Sequence, residues 1–443
     1  MQPIGTNEAR TTGPHTEAPR TEGETAAKVA VLPSRSGAGA SSASAARVPA
    51  LDGVRGIAIL TVMAYHATMS LGHTFGPIRT VLSITQGGWL GVDIFFALSG
   101  FLITGILYDA RDKPLAGYLG NFYWRRTVRI FPLYYGVMLV MLLLPLLLGT
   151  TGSDGYQLYL ERQPWLWPYG ANMAREFYGI HTGCLEFGWF EMTHFWSLAV
   201  EEHFYLVWPL AVYLLSSRAL WALSIGLILV SFALQAELIP VHSRVALAAL
   251  STPKFMGSLL VGGLGALIIR SPWPRAQIAK WSLRVMIAGV LVAAIGWWRG
   301  DFAHAAETHF QRLAVIPAFA VTTTATILWV IENPGARFTR WLQSPTLVWF
   351  GTLSYGLYVY HCLWGPVARG LPIASFPGGY TVGMLVYIVG FFAAPIAVSW
   401  LSYRYFELPL LRLKDFRRHR EAPSEPAPAG ERLGEFGTES TSS

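Results

Sequence analysis

Residues 51–71 read LDGVRGIAILTVMAYHATMSL and form the first apolar stretch long enough to cross a bilayer as a helix. Two ionisable side chains lie inside it, Arg55 and His66. A cation and an imidazole are expensive to hold within a membrane span, so both are candidates for function. Their spacing returns them to nearly the same helix face at a separation of roughly 16 Å. The stretch therefore predicts a membrane helix with a polar track along one side.

The composition of the whole chain agrees with a membrane protein. Of the 443 residues, 53% are hydrophobic and only 13% are charged, whereas soluble domains carry about 25% charged residues. The net charge of +7 is clustered between apolar stretches, as membrane anchors are, so no nucleic-acid partner is expected. Two cysteines, Cys184 and Cys362, are too few to predict a disulfide framework or a metal cluster, and no metal is expected.

Apolar runs of spanning length recur between residues 50 and 410, which we predict to be one transmembrane domain. Residues 1–49 and 411–443 are poor in large apolar side chains and are predicted to be disordered tails. The predicted fold is an all-α integral membrane protein, a bundle of about ten transmembrane helices. The runs lie near residues 54–72, 88–108, 130–149, 194–215, 219–236, 253–270, 284–299, 313–331, 345–366 and 380–402.

The distribution of Lys and Arg predicts how these spans are oriented. Most basic residues fall at both ends of the chain and in one set of alternate connections, and basic residues mark the cytoplasmic side. We therefore expect a multi-pass protein of the inner (plasma) membrane with both termini in the cytoplasm. The long connection at 150–193 would lie outside. Its many aromatic residues predict either a belt packed at the membrane surface or a lid that stacks on a sugar.

With this orientation, basic and acidic candidates separate along the membrane normal. Arginines gather at the cytoplasmic mouth and suit a phosphate-bearing donor, because the guanidinium fork matches phosphate oxygens. Acidic and imidazole groups gather in the outer half, where a hydroxyl-bearing acceptor would enter. His66 would lie where the two meet and take the proton of that hydroxyl as a general base. The candidates are Arg55, His66, Asp93, Arg125, Arg126, Arg129, Trp196, Ser197, Glu201, Glu202 and His361.

Simpler interpretations of these residues stay open. His66 would then be a structural histidine bonded to a neighbouring helix, and the arginine cluster a cytoplasmic anchor. Glu201 and Glu202 are neighbours in sequence and should face different ways, so one of them would merely hold helices together. Intramembrane His, Glu and Arg also mark proton-coupled transporters and flippases, which is the main alternative function.

Five segments in a fixed order add a family resemblance to these single-residue signals. Together they resemble the bacterial acyltransferase family 3, which includes O-antigen acetylases and macrolide O-acyltransferases. The resemblance covers about residues 50–410. The segments are LDGVRGIAILTVMAYH, GVDIFFALSGFLIT, WRRTVRIFPLYY, FWSLAVEEHFYLVWP and SYGLYVYH.

The resemblance implies a ten-helix bundle that moves an acyl group, often acetyl, from cytoplasmic acyl-CoA to a hydroxyl of a glycan or other natural product. It places the family's catalytic pair on Arg55 and His66, its acidic pair on Glu201 and Glu202, and its donor-binding arginines on Arg126 and Arg129, with Arg125 beside them. The remaining motif positions, taken as substrate-binding, fall on Asp93, Trp196, Ser197 and His361.

Many family members also carry a C-terminal soluble esterase domain. The polar tail of this sequence is expected to hold none. Transfer would then be completed within the membrane domain or by a separate periplasmic or extracellular partner.

Overall fold

The computed structural model describes residues 48–69, 85–179, 186–187, 190–192, 194–300, 308–364, 376–377 and 379–415. Nearly all of both predicted tails lies outside the described residues, so their disorder stays a prediction. The described chain is almost entirely helical, as the composition and periodicity predict. Its strands are the two-residue β1 (Glu186–Phe187) and β2 (Phe190–Glu191), which pair antiparallel in a small hairpin.

The helices follow the predicted apolar runs. Short 3₁₀ turns at Gln86–Leu90, His361–Trp364 and Arg412–Asp415 and π turns at Gln311–Val315 and Tyr403–Glu407 extend or connect them. In chain order the α-helices are α1 (Pro49–Met69), α2 (Gly91–Ala110), α3 (Leu115–Leu148), α4 (Asp154–Leu166), α5 (Ala171–Tyr178), α6 (Phe195–Leu214), α7 (Ser217–Gln235), α8 (Arg244–Ala249), α9 (Ser251–Phe255), α10 (Gly257–Ile269), α11 (Arg275–Arg299), α12 (Ile316–Glu332), α13 (Arg337–Leu342), α14 (Pro345–Tyr360), α15 (Gly379–Ser402) and α16 (Leu408–Leu411).

Six helical segments of the described chain are long and apolar enough to cross a membrane. The other four predicted spans correspond to α1, α6, α10 and α14, which are shorter or carry charged side chains. The structure thus supports a multi-pass membrane protein, and the count of ten spans stays a prediction. The six segments are Gln86–Ala110, Leu115–Leu148, Ser217–Gln235, Arg275–Arg299, Gln311–Glu332 and Gly379–Leu411.

Helix α3 differs most from its predicted bounds. Its span was expected to begin near residue 130, with the arginine cluster in front of it, but the helix begins at Leu115 and runs through to Leu148. Residues 115–124 contain no proline, and the helix continues through Gly117 and Gly120 to the arginines although glycine is a poor helix former. The arginines therefore project from the side of a continuous helix.

Glycines lie where several helix backbones approach each other most closely. A Cβ at Gly100 of α2 would overlap the carbonyl oxygen of Leu259 in α10, and one at Gly351 of α14 would overlap that of Asp52 in α1. Small residues let helix backbones approach closely, which is how membrane helices gain packing energy. These contacts join α1 to α14 and α2 to α10.

Within the aromatic connection, the described residues around Tyr159–Tyr169 pack against α3. The Tyr134 ring stacks on Tyr169 at a centroid distance of 4.0 Å, and its hydroxyl donates to the Leu166 carbonyl at 2.7 Å. Tyr159 is buried and donates to the Met138 carbonyl at 3.0 Å. These buried rings favour the packed-belt interpretation over a lid that stacks on a sugar.

Candidate active site

Five helices, α1, α2, α3, α6 and α14, line a pocket whose empty space, counted out to its open mouth, is about 770 Å³. Its walls combine apolar rings with a concentrated set of charged and hydroxyl groups, the composition expected of a ligand site. Many of the predicted site residues converge there from distant parts of the sequence. The lining residues are Arg55, Val92, Phe95, Phe96, Ser99, Arg126, Arg129, Ile130, Ser197, Leu198, Glu201, Glu202, Tyr205, Ser354, Tyr355 and Tyr358.

Three arginines give the pocket its positive side. Arg55 is held by its neighbour Asp52, with Nη1 to Oδ1 at 2.8 Å. The Arg126 guanidinium lies 5.5 Å from the centre of the Tyr205 ring, in the range of a cation–π contact. Arg126 and Arg129 form no salt bridge within the described part of the chain. A half-buried pair of guanidinium groups that is not engaged in direct salt bridges is suited to bind an anionic ligand, although Glu201 and Glu202 line the same pocket.

Arg125 is not part of this site. It is exposed and donates from Nε to Asn121 Oδ1 at 3.1 Å on the same helix, and it does not line the pocket. Helical periodicity explains the difference, because adjacent residues point about 100° apart around the axis. The expectation that Arg125 joins Arg126 and Arg129 in binding the donor has no support in this arrangement.

Both glutamates line the same pocket. Glu201 accepts a hydrogen bond from the Tyr205 hydroxyl at 2.9 Å, and that hydroxyl also contacts Ser99. Glu202 lies beside it in the lining. The expectation that one of the two would point away and only hold helices together is therefore wrong. The pocket curves far enough around α6 to contact two successive residues.

A cluster of histidines lies at the C-terminal ends of α1 and α14. His361 Nε2 is 3.3 Å from His66 Nδ1, although the two residues are far apart in the chain. The His361 ring is fully buried, and its Nδ1 lies 2.8 Å from the Tyr358 carbonyl and 3.1 Å from the Leu357 carbonyl. His194 packs edge-on against His361 at a centroid distance of 5.0 Å. Cys362 Sγ lies 3.2 Å from His361 Nε2.

Tyr358 separates the histidine cluster from the pocket. Its ring lies 5.6 Å from His361, and its hydroxyl lies 2.5 Å from Ser197 Oγ and donates to the His194 carbonyl. Tyr358 and Ser197 both line the pocket, whereas His66 does not. His66 contacts His361, which packs on Tyr358, so the structure places His66 outside the cavity in which two entrances were expected to meet.

A second pocket of about 1020 Å³ lies on the other side of the start of α2. It shares Val92 and Phe96 with the first, and it contains Asp93, which accepts from Ser258 at 2.7 Å. Trp196 lines it too and carries the Arg175 guanidinium 4.9 Å above its ring. Two of the predicted substrate-binding residues therefore belong to this second pocket and two others, Ser197 and His361, do not.

Several residues of the site have no counterpart among the predicted ones. Tyr358 lies three residues before His361, so helical periodicity was a signal for it, whereas Cys362 directly follows His361 and no periodicity pointed to it. Arg175 lies in the aromatic connection, whose sequence carries no local motif. His194 directly precedes α6, and its contact with His361 depends on how the start of α6 meets the end of α14.

Comparison with known proteins agrees with these motifs. The family model described as an acyltransferase domain matches residues 48–404. A peptidoglycan O-acetyltransferase of Listeria monocytogenes is 25% identical over 378 residues, covering 82% of this chain and 56% of that protein. A Bacillus subtilis protein provisionally named a peptidoglycan O-acetyltransferase is 26% identical over 390 residues, covering 84% of this chain and 56% of that protein.

A Staphylococcus aureus protein provisionally named an O-acetyltransferase is 25% identical over 394 residues, covering 82% of this chain and 57% of that protein. The chain thus spans about half the length of the curated relatives that it matches. No solved structure matches it. Because the family model extends over most of the chain and the five ordered motifs fall within it, the protein belongs to acyltransferase family 3.

Proposed function

We propose that this protein is a membrane-bound O-acyltransferase that moves an acyl group, most simply acetyl, from cytoplasmic acyl-CoA to a hydroxyl of a glycan or glycosylated natural product. The observation that carries the proposal is the convergence of Arg55, Arg126 and Arg129 with two glutamates in one pocket, next to a histidine cluster in which His361 is buried and His66 half-buried. The names of the relatives support a glycan acceptor, and peptidoglycan is the first to test.

The two pockets fit a donor side and an acceptor side. The first contains Arg55 near the start of α1, the end of the helix that the distribution of basic residues predicts to face the cytoplasm. The second contains Arg175, from the connection that the same distribution puts outside. Acyl-CoA would then enter the first pocket from the cytoplasm, and the acceptor would enter the second.

The arginines act on the charged part of the donor. Arg126 and Arg129 offer forked donors that match phosphate oxygens, and Arg55 is oriented by Asp52 to join them. Arg55 and His66 belong to one unbroken helix, so the roughly 16 Å between them keeps Arg55 away from the atoms on which His66 would act. Arg55 is therefore assigned to binding the donor rather than to stabilising charge at the thioester, and the long arm of CoA would bridge the separation.

Hydrogen bonding assigns the proton positions in the histidine cluster. His361 Nδ1 faces two carbonyl oxygens and must donate to them, so its Nε2 carries a lone pair and accepts. His66 Nδ1 faces that nitrogen and the Val62 carbonyl, at 2.9 Å, so it carries the proton. The basic nitrogen of His66 is then Nε2. His361 thus acts as a positioning residue that holds His66 in the tautomer a general base requires.

The transfer itself is then a direct exchange. His66 Nε2 takes the proton from the acceptor hydroxyl as its oxygen attacks the thioester carbonyl. The carbon–sulfur bond breaks, the ester forms, and the leaving thiolate of CoA takes the proton from the imidazolium. For the acyl group to meet His66, the Tyr358 side chain must turn aside or the reacting atoms must pass its edge. A covalent acyl-histidine would use the same nitrogen and stays open as an alternative route.

The decisive experiment measures acyl transfer with purified protein in detergent. We expect labelled acyl-CoA to lose its acyl group to a peptidoglycan fragment, and a His66→Ala variant to fall by about 10²–10⁴-fold, the usual contribution of a general base. Binding of acyl-CoA by that variant should be unchanged, which separates lost chemistry from misfolding. Movement of an intact substrate across liposomes without thioester cleavage would instead indicate a transporter and reject the proposal.

A further inference from the structure

The histidine cluster has the composition of a transition-metal site as well as that of a base. His66, His361 and Cys362 each offer one ligand atom, and these atoms all lie within 4.8 Å of one another. His361 and Cys362 are fully or almost fully buried. Imidazole and thiolate together favour Zn²⁺ among common divalent ions, whereas Mg²⁺ and Ca²⁺ prefer oxygen ligands.

The spacing of the ligand atoms fits tetrahedral coordination. Zinc bonds of about 2.0–2.1 Å to nitrogen and 2.3 Å to sulfur place neighbouring ligand atoms roughly 3.4–3.6 Å apart. The structure has 3.3 Å between His361 Nε2 and His66 Nδ1, and 3.2 Å between His361 Nε2 and Cys362 Sγ. An ion would therefore require shifts of only a few tenths of an ångström along these two edges.

The surroundings of His361 resemble those of a metal ligand. A ligating histidine almost always donates its other ring N–H to a carbonyl or carboxylate, which fixes the ring and directs the lone pair at the ion. His361 Nδ1 meets the Leu357 and Tyr358 carbonyls in this way. The ring is thus preset with Nε2 facing the other two ligands.

His194 supplies an independent observation beside the cluster. It is buried, its Nε2 lies 3.2 Å from the Val359 carbonyl, and its Nδ1 has no hydrogen-bond partner among the described residues. A buried nitrogen without a partner is unusual in a folded protein and points to a group that the protein alone does not supply. The fourth position of the ion would be filled by a water molecule that bonds to His194 Nδ1 or by His194 itself.

We infer that His66, His361 and Cys362 form a binding site for a zinc-type ion, and that the ion inhibits the transferase. On binding, the Cys362 thiol releases its proton to solvent and the thiolate bonds to the metal. The His66 proton moves from Nδ1 to Nε2 while Nδ1 bonds to the metal. Because Nε2 then carries a proton, His66 can no longer accept one from the acceptor. The proposed metal site does not depend on the proposed function, whereas the proposed inhibition rests on it.

Metal binding is tested first without any activity measurement. Full-length protein in detergent is titrated separately with Co²⁺ and with Zn²⁺. Cobalt binding is measured by the thiolate-to-cobalt charge-transfer absorption, and zinc binding is measured by competition with a zinc indicator. We expect the wild type to show the absorption band, and Cys362→Ser to lose it and bind zinc about tenfold more weakly or worse. Cys184→Ser is the matched control, because it removes the other cysteine of the chain and should leave both readouts unchanged.

Absence of the band in the wild type, or zinc binding as tight in Cys362→Ser and Cys362→Ala as in the wild type, would overturn the site. These outcomes do not depend on whether the protein transfers acyl groups.

Inhibition by zinc is measured in a separate experiment. Zinc should inhibit the wild type and Cys184→Ser alike, and Cys362→Ser should need about tenfold more zinc for half-inhibition, with each variant compared to its own rate in chelator. Binding without inhibition would overturn the second half of the inference alone.

Discussion

Arg125 and Arg126 are neighbours of identical chemistry with opposite environments. Arg126 lines the central pocket against Tyr205, and Arg125 is exposed and bonded to Asn121. A side chain contributes to binding only through the atoms it presents to the ligand, so the helix rotation between two adjacent residues decides which of them acts. The pair therefore offers an internal comparison at the scale of single residues.

Arg126→Ala should raise the KM for acyl-CoA about tenfold or more, because it removes a charge-assisted contact with phosphate worth about 1.5–3 kcal/mol. Arg125→Ala should leave this KM within about twofold, since an exposed charge contributes little. Steady-state kinetics with purified protein provide the measurement. Equal effects of the two substitutions would show that the arginines act only through overall charge and not through the pocket.

Helix α10 is too short to be identified as a membrane span by its length, yet it is mostly buried among other helices. It has thirteen residues, eleven of them buried, and packs its glycines against α2. A Cβ at Gly262 would overlap the Ala97 carbonyl, just as one at Gly100 would overlap that of Leu259. This close pairing holds Ser258 in contact with Asp93. The wall between the two pockets therefore depends on contacts that only glycine permits.

Gly100→Ala should destabilise the protein by about 1–3 kcal/mol, because the added methyl group meets a carbonyl oxygen of a packed helix. Gly226→Ala in α7 is the control, since nothing lies within 4 Å of a Cβ there. Alanine is the better helix former, so this control should be neutral or up to about 1 kcal/mol more stable. Unfolding in detergent, followed by circular dichroism, measures both. Equal stability of the two variants would contradict the close packing of α2 and α10.

The whole molecule combines two pockets that share only a thin wall. Val92 and Phe96 line both, so a donor in the first and an acceptor in the second would be separated by a pair of side chains. The histidine cluster lies outside both pockets and contacts the first one through Tyr358. If the donor and the acceptor bind in separate pockets, a substitution in one pocket should weaken the binding of one substrate and leave the binding of the other unchanged.

Trp196→Ala should raise the KM for the acceptor by about tenfold or more while leaving that for acyl-CoA within about twofold. The reason is that Trp196 lines the second pocket and not the first, and losing the apolar contact of a large side chain with a ligand costs roughly 1.5–3 kcal/mol where that contact is fully buried. Trp298, which is 86% exposed at the end of α11, provides the control and should change neither value when replaced by alanine. A rise in the KM for acyl-CoA with Trp196→Ala would refute the division between the pockets.

Patterns that repeat within one helix were readable from the sequence. The apolar runs located the helices. Arg55, His66, Glu201 and Glu202 were identified as candidates because an ionisable side chain is costly to hold inside a membrane segment. The ordered motifs indicated the family. The start of α3 was not predicted correctly, and the number of spans stays a prediction, since helix ends depend on contacts as well as on composition.

The tertiary structure alone decided which of these residues meet. It brought His361 and Cys362 to His66 across nearly three hundred positions, put both glutamates in one pocket, and turned Arg125 out of it. The physical reason is that periodicity specifies the face of a helix on which a side chain lies, whereas its neighbours depend on which helices pack together. That choice is made by close backbone approaches at glycines such as Gly100 and Gly351, and no local pattern encodes their partners.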